Sequence, residues 1–307
     1  MTLTQLRTFL AVAETASMRV AAERLVISQP AVSAAVSSLE RELGVALVAR
    51  HGRGMRVTAA GAAFAAMVRQ SLGLLDQAVR SAQSVEAPGQ GGVHVVTVTT
   101  AAERLLPPLL AVFRREHPHA KVSVQVGNRA TVWEALHEHS ADLVIAGRPP
   151  GSALARVLAK APNRLVVVGP PIQKGGAPRS VTVGALGRET WLLREAGSGT
   201  RDATDDLLAD LGIEPQTMIM GSNGAVEQAV AAGLGIALIS RDAVADSLAN
   251  GTIAIWSCPG TPLDRPWHLV VHGSRTLSPT AVLLARSMTE APERFVLTAD
   301  GRRLLAG

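Results

Sequence analysis

Cysteine is almost missing from this chain: Cys258 stands alone among 307 residues. No disulfide can therefore close within one chain, which excludes a disulfide-framed secreted module and a redox switch that bridges two of its own thiols. Lysine is scarce as well, with three residues (Lys121, Lys160 and Lys174) against 27 arginines. Each lysine is followed by valine, alanine or glycine, never by the hydroxyl residue of a phosphate-binding P-loop. Nowhere do about 18 apolar residues run together, and Met1 to Val12 carries Arg7 as its one base without the apolar stretch of a secretion signal. The expectation is a soluble, cytoplasmic protein with no membrane partner. What the chain does have is 47% hydrophobic and 18% charged residues, the composition of a globular protein, and a length that suggests two folded units.

Basic residues exceed acidic ones by 30 to 25. Before Gly92 nine arginines meet six acids, and from Gly92 onward 21 bases meet 19 acids, so positive charge is denser in the smaller piece. Such an excess permits nucleic-acid binding and equally describes a solvated arginine surface. The boundary falls at Ala87-Pro88-Gly89-Gln90-Gly91-Gly92, where glycine and proline end a helical pattern and Val93 to Val98 opens a β-type run. This divides the chain into residues 1–58, residues 59–92 as a linker helix and hinge, and residues 93–307.

Before the boundary the pattern is helical. Leu3 to Ala13 places Leu6, Phe9, Leu10 and Ala13 at helical spacing, and Met18 to Leu25 makes a second, short helix. A third follows from Ser28 as N-cap, with Pro30 in its first turn and Gly44 as its stop. On it Val32, Val36, Leu39 and Leu43 share one face, while Gln29, Ser33 and Ser37 share another. Alone, that second face reads as an ordinary solvated one. In the context of helix, short turn and second helix, it has the geometry that enters a major groove, where glutamine reads adenine and alanine methyls touch thymine methyls. Ser28, Gln29, Pro30, Ala31, Ser33 and Ser37 are the candidate contacts. Leu47 to Arg50 and Met55 to Thr58 read as two strands around His51-Gly52-Arg53-Gly54, a wing whose Arg50, Arg53 and Arg56 can meet phosphates or a narrow minor groove. From Thr58 a helix of about 45 Å carries Phe64, Val68, Leu72, Leu75, Val79 and Ala82 in one stripe. Burial against a second copy explains the far end of that stripe; packing on the first domain explains its start.

Beyond Gly92 strands and helices alternate, which predicts an α/β architecture with a largely parallel sheet, in two lobes of about 93–163 with 268–307 and about 164–267. Strands are expected over Val93–Val98, Lys121–Val126, Asp142–Ala146, Arg164–Val168, Trp191–Arg194, Met218–Met220, Ile236–Ile239, Ile253–Trp256 and Trp267–Val271. Helices are expected over Arg104–Arg115, Thr131–Glu138, Asp202–Leu211, Ala225–Ala232 and Pro279 to about Thr289. Ligands of such sheets sit outside the carboxyl ends of the strands. Those ends carry Thr99 and Thr100, then Asn128 and Arg129, Gly147 and Arg148, Gly197-Ser198-Gly199-Thr200-Arg201, and Asn223. The stretch 197–201 opens a helix whose free N–H groups and positive dipole end attract anions, so a small anionic metabolite is the expected guest. Gly-Ser-Gly-Thr is also good loop chemistry, and each arginine could serve in a surface ion pair. Five strand ends of one chemistry favour the binding reading.

No acid, base and nucleophile constellation is visible, so no enzyme is expected, and neither is a cofactor. Gly197-Ser198-Gly199 continues to Asp202, which fits neither a dinucleotide fingerprint nor a hydrolase elbow. His117 and His119, or His137 and His139, are spaced by two and make poor metal pairs, while His268 and His272 lie too far apart along a strand, so no metal site is expected. Cys258 reads as a small buried hydrophobe, with a one-cysteine redox sensor as the alternative. A regulator that binds DNA in response to a ligand accounts for both halves. A solute-binding module alone and an enzyme built on the α/β half are the competing classes.

Ala21-Ala22-Glu23-Arg24-Leu25, Ser28-Gln29-Pro30-Ala31-Val32-Ser33, Leu39-Glu40-Arg41-Glu42-Leu43-Gly44 and Thr58-Ala59-Ala60-Gly61 together resemble the winged helix-turn-helix of the LysR-type transcriptional regulators. The resemblance implies an N-terminal, mainly α winged helix-turn-helix, a long linker helix, and a two-lobed effector domain of the periplasmic-binding-protein kind. It further implies a homo-oligomer, usually a dimer of dimers, on double-stranded promoter DNA, with RNA polymerase as a candidate further partner. Met18-Arg19, Ala34-Ala35 and Val48-Ala49 depart from the family's usual residues, which shifts expected affinity toward the wing arginines and oligomerisation. In the second half, Gly127-Asn128-Arg129, Gly147-Arg148-Pro149-Pro150, Arg194-Glu195-Ala196-Gly197-Ser198-Gly199-Thr200-Arg201 and Gly221-Ser222-Asn223 are most similar to regulators of carbon-fixation (RuBisCO) operons. That likeness implies phosphorylated or carboxylated effectors.

Overall fold

A computed structural model describes residues 1–51, 54–86, 89–151, 154–171, 179–274, 276–290 and 295–306. They form two compact units, 1–78 with 138–140 and 79–137 with 141–307. The first holds helices α1 (Leu3–Thr15), α2 (Met18–Leu25) and α3 (Gln29–Leu43), the strands β1 (Val48–His51) and β2 (Gly54–Val57), and most of α4 (Ala59–Glu86). Local chemistry sets each boundary. Thr2 and Gln5 bond reciprocally at the start of α1, a capping box. Ser28 accepts from the Ala31 N–H at 3.3 Å, and Gly44 ends α3 in the left-handed region at φ 71°. Thr58 caps α4 by accepting from Gly61 N–H at 2.9 Å.

Phe9, Val32, Leu39 and Leu47 are wholly buried among these helices, with Phe9 and Phe64 rings 5.6 Å apart. The Glu40 carboxylate accepts the N–H groups of Leu47 and Val48 at 2.8 and 3.1 Å, which ties the first hairpin strand to α3. Along α4 the apolar stripe changes character. Val68 and Leu72 enter the core, whereas Leu75 and Val79 are 46% and 57% exposed.

The second unit is built on two main sheets and a two-stranded pair bridged to the second of them. Its elements are β3 (Gly92–Val98), a π turn (Ala101–Leu105), α5 (Leu106–Glu116), β4 (Lys121–Gly127), α6 (Arg129–His137), β5 (Leu143–Ala146) and β6 (Ala155–Ala161), then β7 (Arg164–Gly169), β8 (Arg179–Ser180) and α7 (Val183–Leu186). There follow β9 (Trp191–Arg194), α8 (Gly199–Leu211), β10 (Thr217–Met220), α9 (Asn223–Ala231), β11 (Ala237–Ser240), α10 (Ala245–Ala249), β12 (Ala254–Ser257), β13 (Leu263–Asp264), β14 (Trp267–His272), α11 (Pro279–Glu290), β15 (Val296–Leu297) and α12 (Ala299–Ala306). The first sheet runs β15-β6-β14-β5-β3-β4. Along β3, β5 and β14 the faces alternate: Val95, Leu143, Ile145 and Leu269 point into one core, and Val96, Val144, Ala146 and Val270 into the other. The second sheet runs β11-β7-β12-β8, with β13 also on β7, and β9 pairs parallel with β10.

The first sheet is mixed rather than largely parallel. β3, β4 and β5 run parallel, but β14 is antiparallel to β5 and β6, as is β15 to β6, because the chain leaves for the second sheet and returns from it. β6 was not anticipated: Arg156 and Lys160 interrupt its apolar run. The expected helix from Arg104 divides into the π turn and α5. The two passages between the sheets are clasped by buried Asn163, whose Nδ2 donates to the Arg265 carbonyl at 2.8 Å while its Oδ1 accepts from Ser240 Oγ at 2.7 Å. The last residues of α4 join this unit through Arg80 Nε to the buried Asp142 at 3.1 Å and Thr280 Oγ1 to Ser84 Oγ at 3.2 Å.

Gly61 offers a test of the packing of α4 on the hairpin, since a Cβ there would lie 2.0 Å from the Leu47 carbonyl oxygen. Gly61→Ala should cost about 1–3 kcal/mol, read as an earlier urea midpoint for the first unit. An unchanged midpoint would show that this contact is not as tight as described.

Candidate functional site

In the first unit the packing face of α3 fixes what its other face presents. With Val32, Val36 and Leu39 buried, Ser28, Gln29, Pro30, Ala31, Ser33 and Ser37 are all exposed. Ser28 caps the Ala31 N–H and Pro30 has none to offer, and no acidic residue in the first turn offsets the positive helix end beside Gln29. On the hairpin, Arg50 pairs with Met55 and Arg56 with Ala49. Cross-strand partners share a face, so the two exposed arginines emerge on opposite sides of the wing, Arg50 on the side of core-facing Met55. Arg53 lies outside the described residues.

In the second unit β3, β4 and β5 end toward a cavity of about 360 Å³ between the two sheets. Thr99, Thr100, Gly127, Asn128, Arg129, Gly147 and Arg148 line it from one side, and Ser198, Gly199 and Thr200 from the other. Asn128 spends its Oδ1 on capping α6, accepting from Thr131 N–H and Oγ1 at 3.0 and 3.1 Å, which leaves its amide NH2 as the free donor. Ser198 is the N-cap of α8 yet makes no capping bond; it is 5% exposed and its hydroxyl has no partner among the described residues. A buried cap residue whose hydroxyl does not cap is available to a guest.

Three expected residues do something else. Arg201 turns from the cavity and grips Asp205 through Nε at 2.8 and 2.9 Å, the i,i+4 pairing of its helix. Asn223 is buried beneath the floor, where its Nδ2 donates to Thr100 Oγ1 at 2.6 Å and its Oδ1 accepts from Arg194. It orients Thr100 from across the cleft. Gly197 supplies a turn at φ 84° and accepts the Arg129 N–H at 3.1 Å, so its carbonyl joins the two sides of the mouth.

Sequence reasoning missed Asn163, Arg194, Asp202, Asp206, Ser240, Arg265 and Trp267, which also line the cavity. Arg194, which the sequence places at a strand end and at the head of the 194–201 stretch without naming it as a contact, is 8% exposed and held by Glu195 through Nε and one NH2 at 2.7 and 2.9 Å. Burial raises the Glu195 carboxyl, but the Arg194 hydrogen bonds and a backbone N–H outweigh it and leave the carboxyl below its ordinary value. Arg129 NH1 reaches Asp202 at 3.1 Å and Arg265 NH2 reaches Asp206 at 3.1 Å. Of the four lining arginines, Arg148 alone has no ion-pair partner among the described residues. The cavity therefore offers one uncommitted cation, an uncommitted hydroxyl and a helix N-terminus, the chemistry of an anion site.

No group of His, Cys, Asp and Glu that could hold a metal exists among the described residues, and no described helix is long and apolar enough to cross a membrane. Cys258 is buried, its thiol pushed up by that burial and only partly relieved by Thr261 at 3.3 Å.

Residues 3–62 match the family described as bacterial regulatory helix-turn-helix protein, lysR family, and residues 86–292 match LysR substrate binding domain. The chain is 35% identical to the HTH-type transcriptional regulator CbbR of Rhodospirillum rubrum, across 91% of this chain and 93% of that one. It is 34% identical to the RuBisCO operon transcriptional regulator of Allochromatium vinosum, across 91% and 92%. Among solved structures, the regulatory domain of Synechocystis PCC6803 CcmR in complex with 2-PG is similar at a TM-score of 0.60 and 27% identity, covering 66% of this chain and 97% of that one.

Two outcomes follow from the titrating groups. Cys258 in the folded chain should resist iodoacetamide and alkylate only on unfolding; rapid native labelling would contradict its burial. His268, buried at the end of the second passage, has its pKa lowered by burial first and then by the Lys160 charge, with a smaller push from Arg148, and backbone bonds at Pro266 and Gly147 only partly offset this. The unfolded imidazole takes up a proton below about 6.5 that the folded one refuses. Its contribution is thus full above that pH and lost as pH falls. Stability of the second unit should decline from pH 7 to 5, and His268→Gln should flatten the decline in thermal melts.

Proposed function

The chain belongs to the LysR family of ligand-responsive, DNA-binding transcriptional regulators, which oligomerise and are not enzymes, and from that premise we propose how its residues divide the work. Residues 1–58 form the DNA-binding head, 59–92 the linker that joins copies, and 93–307 the sensor. Ser28, Gln29, Pro30, Ala31, Ser33 and Ser37 face the bases and nearby phosphates of promoter DNA, with Arg50, Arg53 and Arg56 on the backbone beside them. The exposed Leu75 and Val79 of α4 meet a second copy, and two such dimers assemble into a tetramer. RNA polymerase is the candidate partner at a bound promoter.

The effector is a small phosphorylated or carboxylated anion in the cavity between the sheets. One observation carries this reading: buried Ser198 leaves its hydroxyl uncommitted at the N-terminus of α8, in the cavity that Arg148 also lines. The 2-PG bound by the similar CcmR domain supports the same class of guest. An anion there favours one arrangement of the two sheets, and the linker passes the difference to the spacing of the DNA-binding heads.

Footprinting on the DNA flanking the protein's own gene, with 2-PG and a panel of other anionic metabolites, tests this. A salt-sensitive footprint whose extent shifts with an anion is expected; absence of either feature defeats the reading. Arg148→Ala should weaken the anion about ten-fold or more, the worth of a charge-assisted hydrogen bond. Arg56→Ala should weaken DNA binding across sequences and lower the salt slope by about one. If both variants lost both functions equally, the division of work would fail.

A further inference from the structure

Four arginines line the cavity, and three of them already carry a carboxylate: Arg129 with Asp202, Arg194 with Glu195, and Arg265 with Asp206. These pairs are not alike. Arg194 is buried beneath its partner, and Arg265 with Asp206 lies within the second-sheet half of the unit. Arg129 and Asp202 instead reach toward each other from the first residue of α6 and the first turns of α8, each 39% and 51% exposed, so their bond spans the mouth. The same Arg129 guanidinium lies 3.5 Å from the carbonyl oxygen of Arg148, so the committed and uncommitted cations belong to neighbouring parts of one lip.

Resting on the anion reading above, we propose that the cleft reads the number of charges on its guest. One negative charge seats on Arg148, Ser198 Oγ and the free N–H groups at the start of α8. This leaves the Arg129–Asp202 bond intact, because neither partner is needed. A second negative charge on the same group recruits Arg129, which gives up Asp202. A direct bond between the two halves is thereby exchanged for one made through the ligand. Asp202 acts as a resident counter-charge: it holds Arg129 until a stronger anion arrives, and it sets the difference between a guest that merely occupies the cleft and one that changes it. The exchange is attainable because the pair is half exposed, and such pairs are weak enough for a dianion to displace.

Methyl sulfate and methyl phosphate separate these roles. They are close in shape, but at pH 8 the first carries one charge and the second about two, since the second pKa of a phosphate ester lies near 6. Binding to the full-length chain is measured by calorimetry, and the response by the DNA footprint. Wild type should bind both probes while only methyl phosphate shifts the footprint. Asp202→Asn should tighten methyl phosphate about two- to five-fold, the worth of an exposed ion pair, and should let methyl sulfate shift the footprint too. If both probes bind and shift the footprint of wild type equally, or if Asp202→Asn leaves both affinities unchanged, the charge-reading role is overturned while the anion site stands. If neither probe binds wild type, the anion site itself is overturned.

Discussion

The sensor unit depends on a single constraint of direction: β3, β4 and β5 run parallel and deliver their carboxyl ends to one gap, and the start of α8 faces that gap from the other sheet. Parallel strands cannot be joined by tight turns, and β3 and β4 each lead into a helical segment whose amino end opens where the strand stops, while β5 leads on to β6. Polar groups accumulate there because backbone N–H groups at helix starts lack internal partners. The chain visits the second sheet between β6 and β14, and Asn163 binds the two passages to each other. The apolar packing is confined to each sheet's own faces, so the gap between the sheets is spanned by polar bonds rather than by a shared core.

The same economy governs the DNA-binding unit. Burial of Val32, Val36 and Leu39 settles the rotation of α3 about its axis and leaves the small residues opposite exposed, the face we propose for DNA. Glu40 then fixes where the wing begins by accepting two backbone N–H groups. Both features follow from one helix, so the reading head is a short structure with little freedom. The long α4 carries apolar surface well beyond the part that its own core covers. That surplus is the surface we propose a second copy covers.

Much of this was legible beforehand, and what was not has a common cause. Caps and helix faces are local: Ser28, Pro30, Gly44 and Thr58 announce themselves within four residues, and the alternation of Val95, Val96, Leu143 and Val144 announces a sheet buried on both faces. Strand ends are also local, which is why Thr99, Thr100, Arg148 and Ser198 could be named. Asn163, Ser240 and Arg265 enter the cavity because two distant passages are stitched together, and no spacing rule connects residues 77 or 102 apart. Arg201 and Asn223 sat at the right strand ends but found partners that the sequence does not rank: a carboxylate one turn along, and a threonine 123 residues away. The mixed direction of the first sheet was hidden for the same reason, since direction is decided by where the returning strand docks and not by its own composition.

A crystal of the full chain soaked with selenate, located by its anomalous signal, tests the central claim most directly. The account predicts a peak within hydrogen-bonding distance of Ser198 Oγ and the N–H groups that open α8. A chain whose DNA binding responds to the anion while the peak lies elsewhere would contradict it.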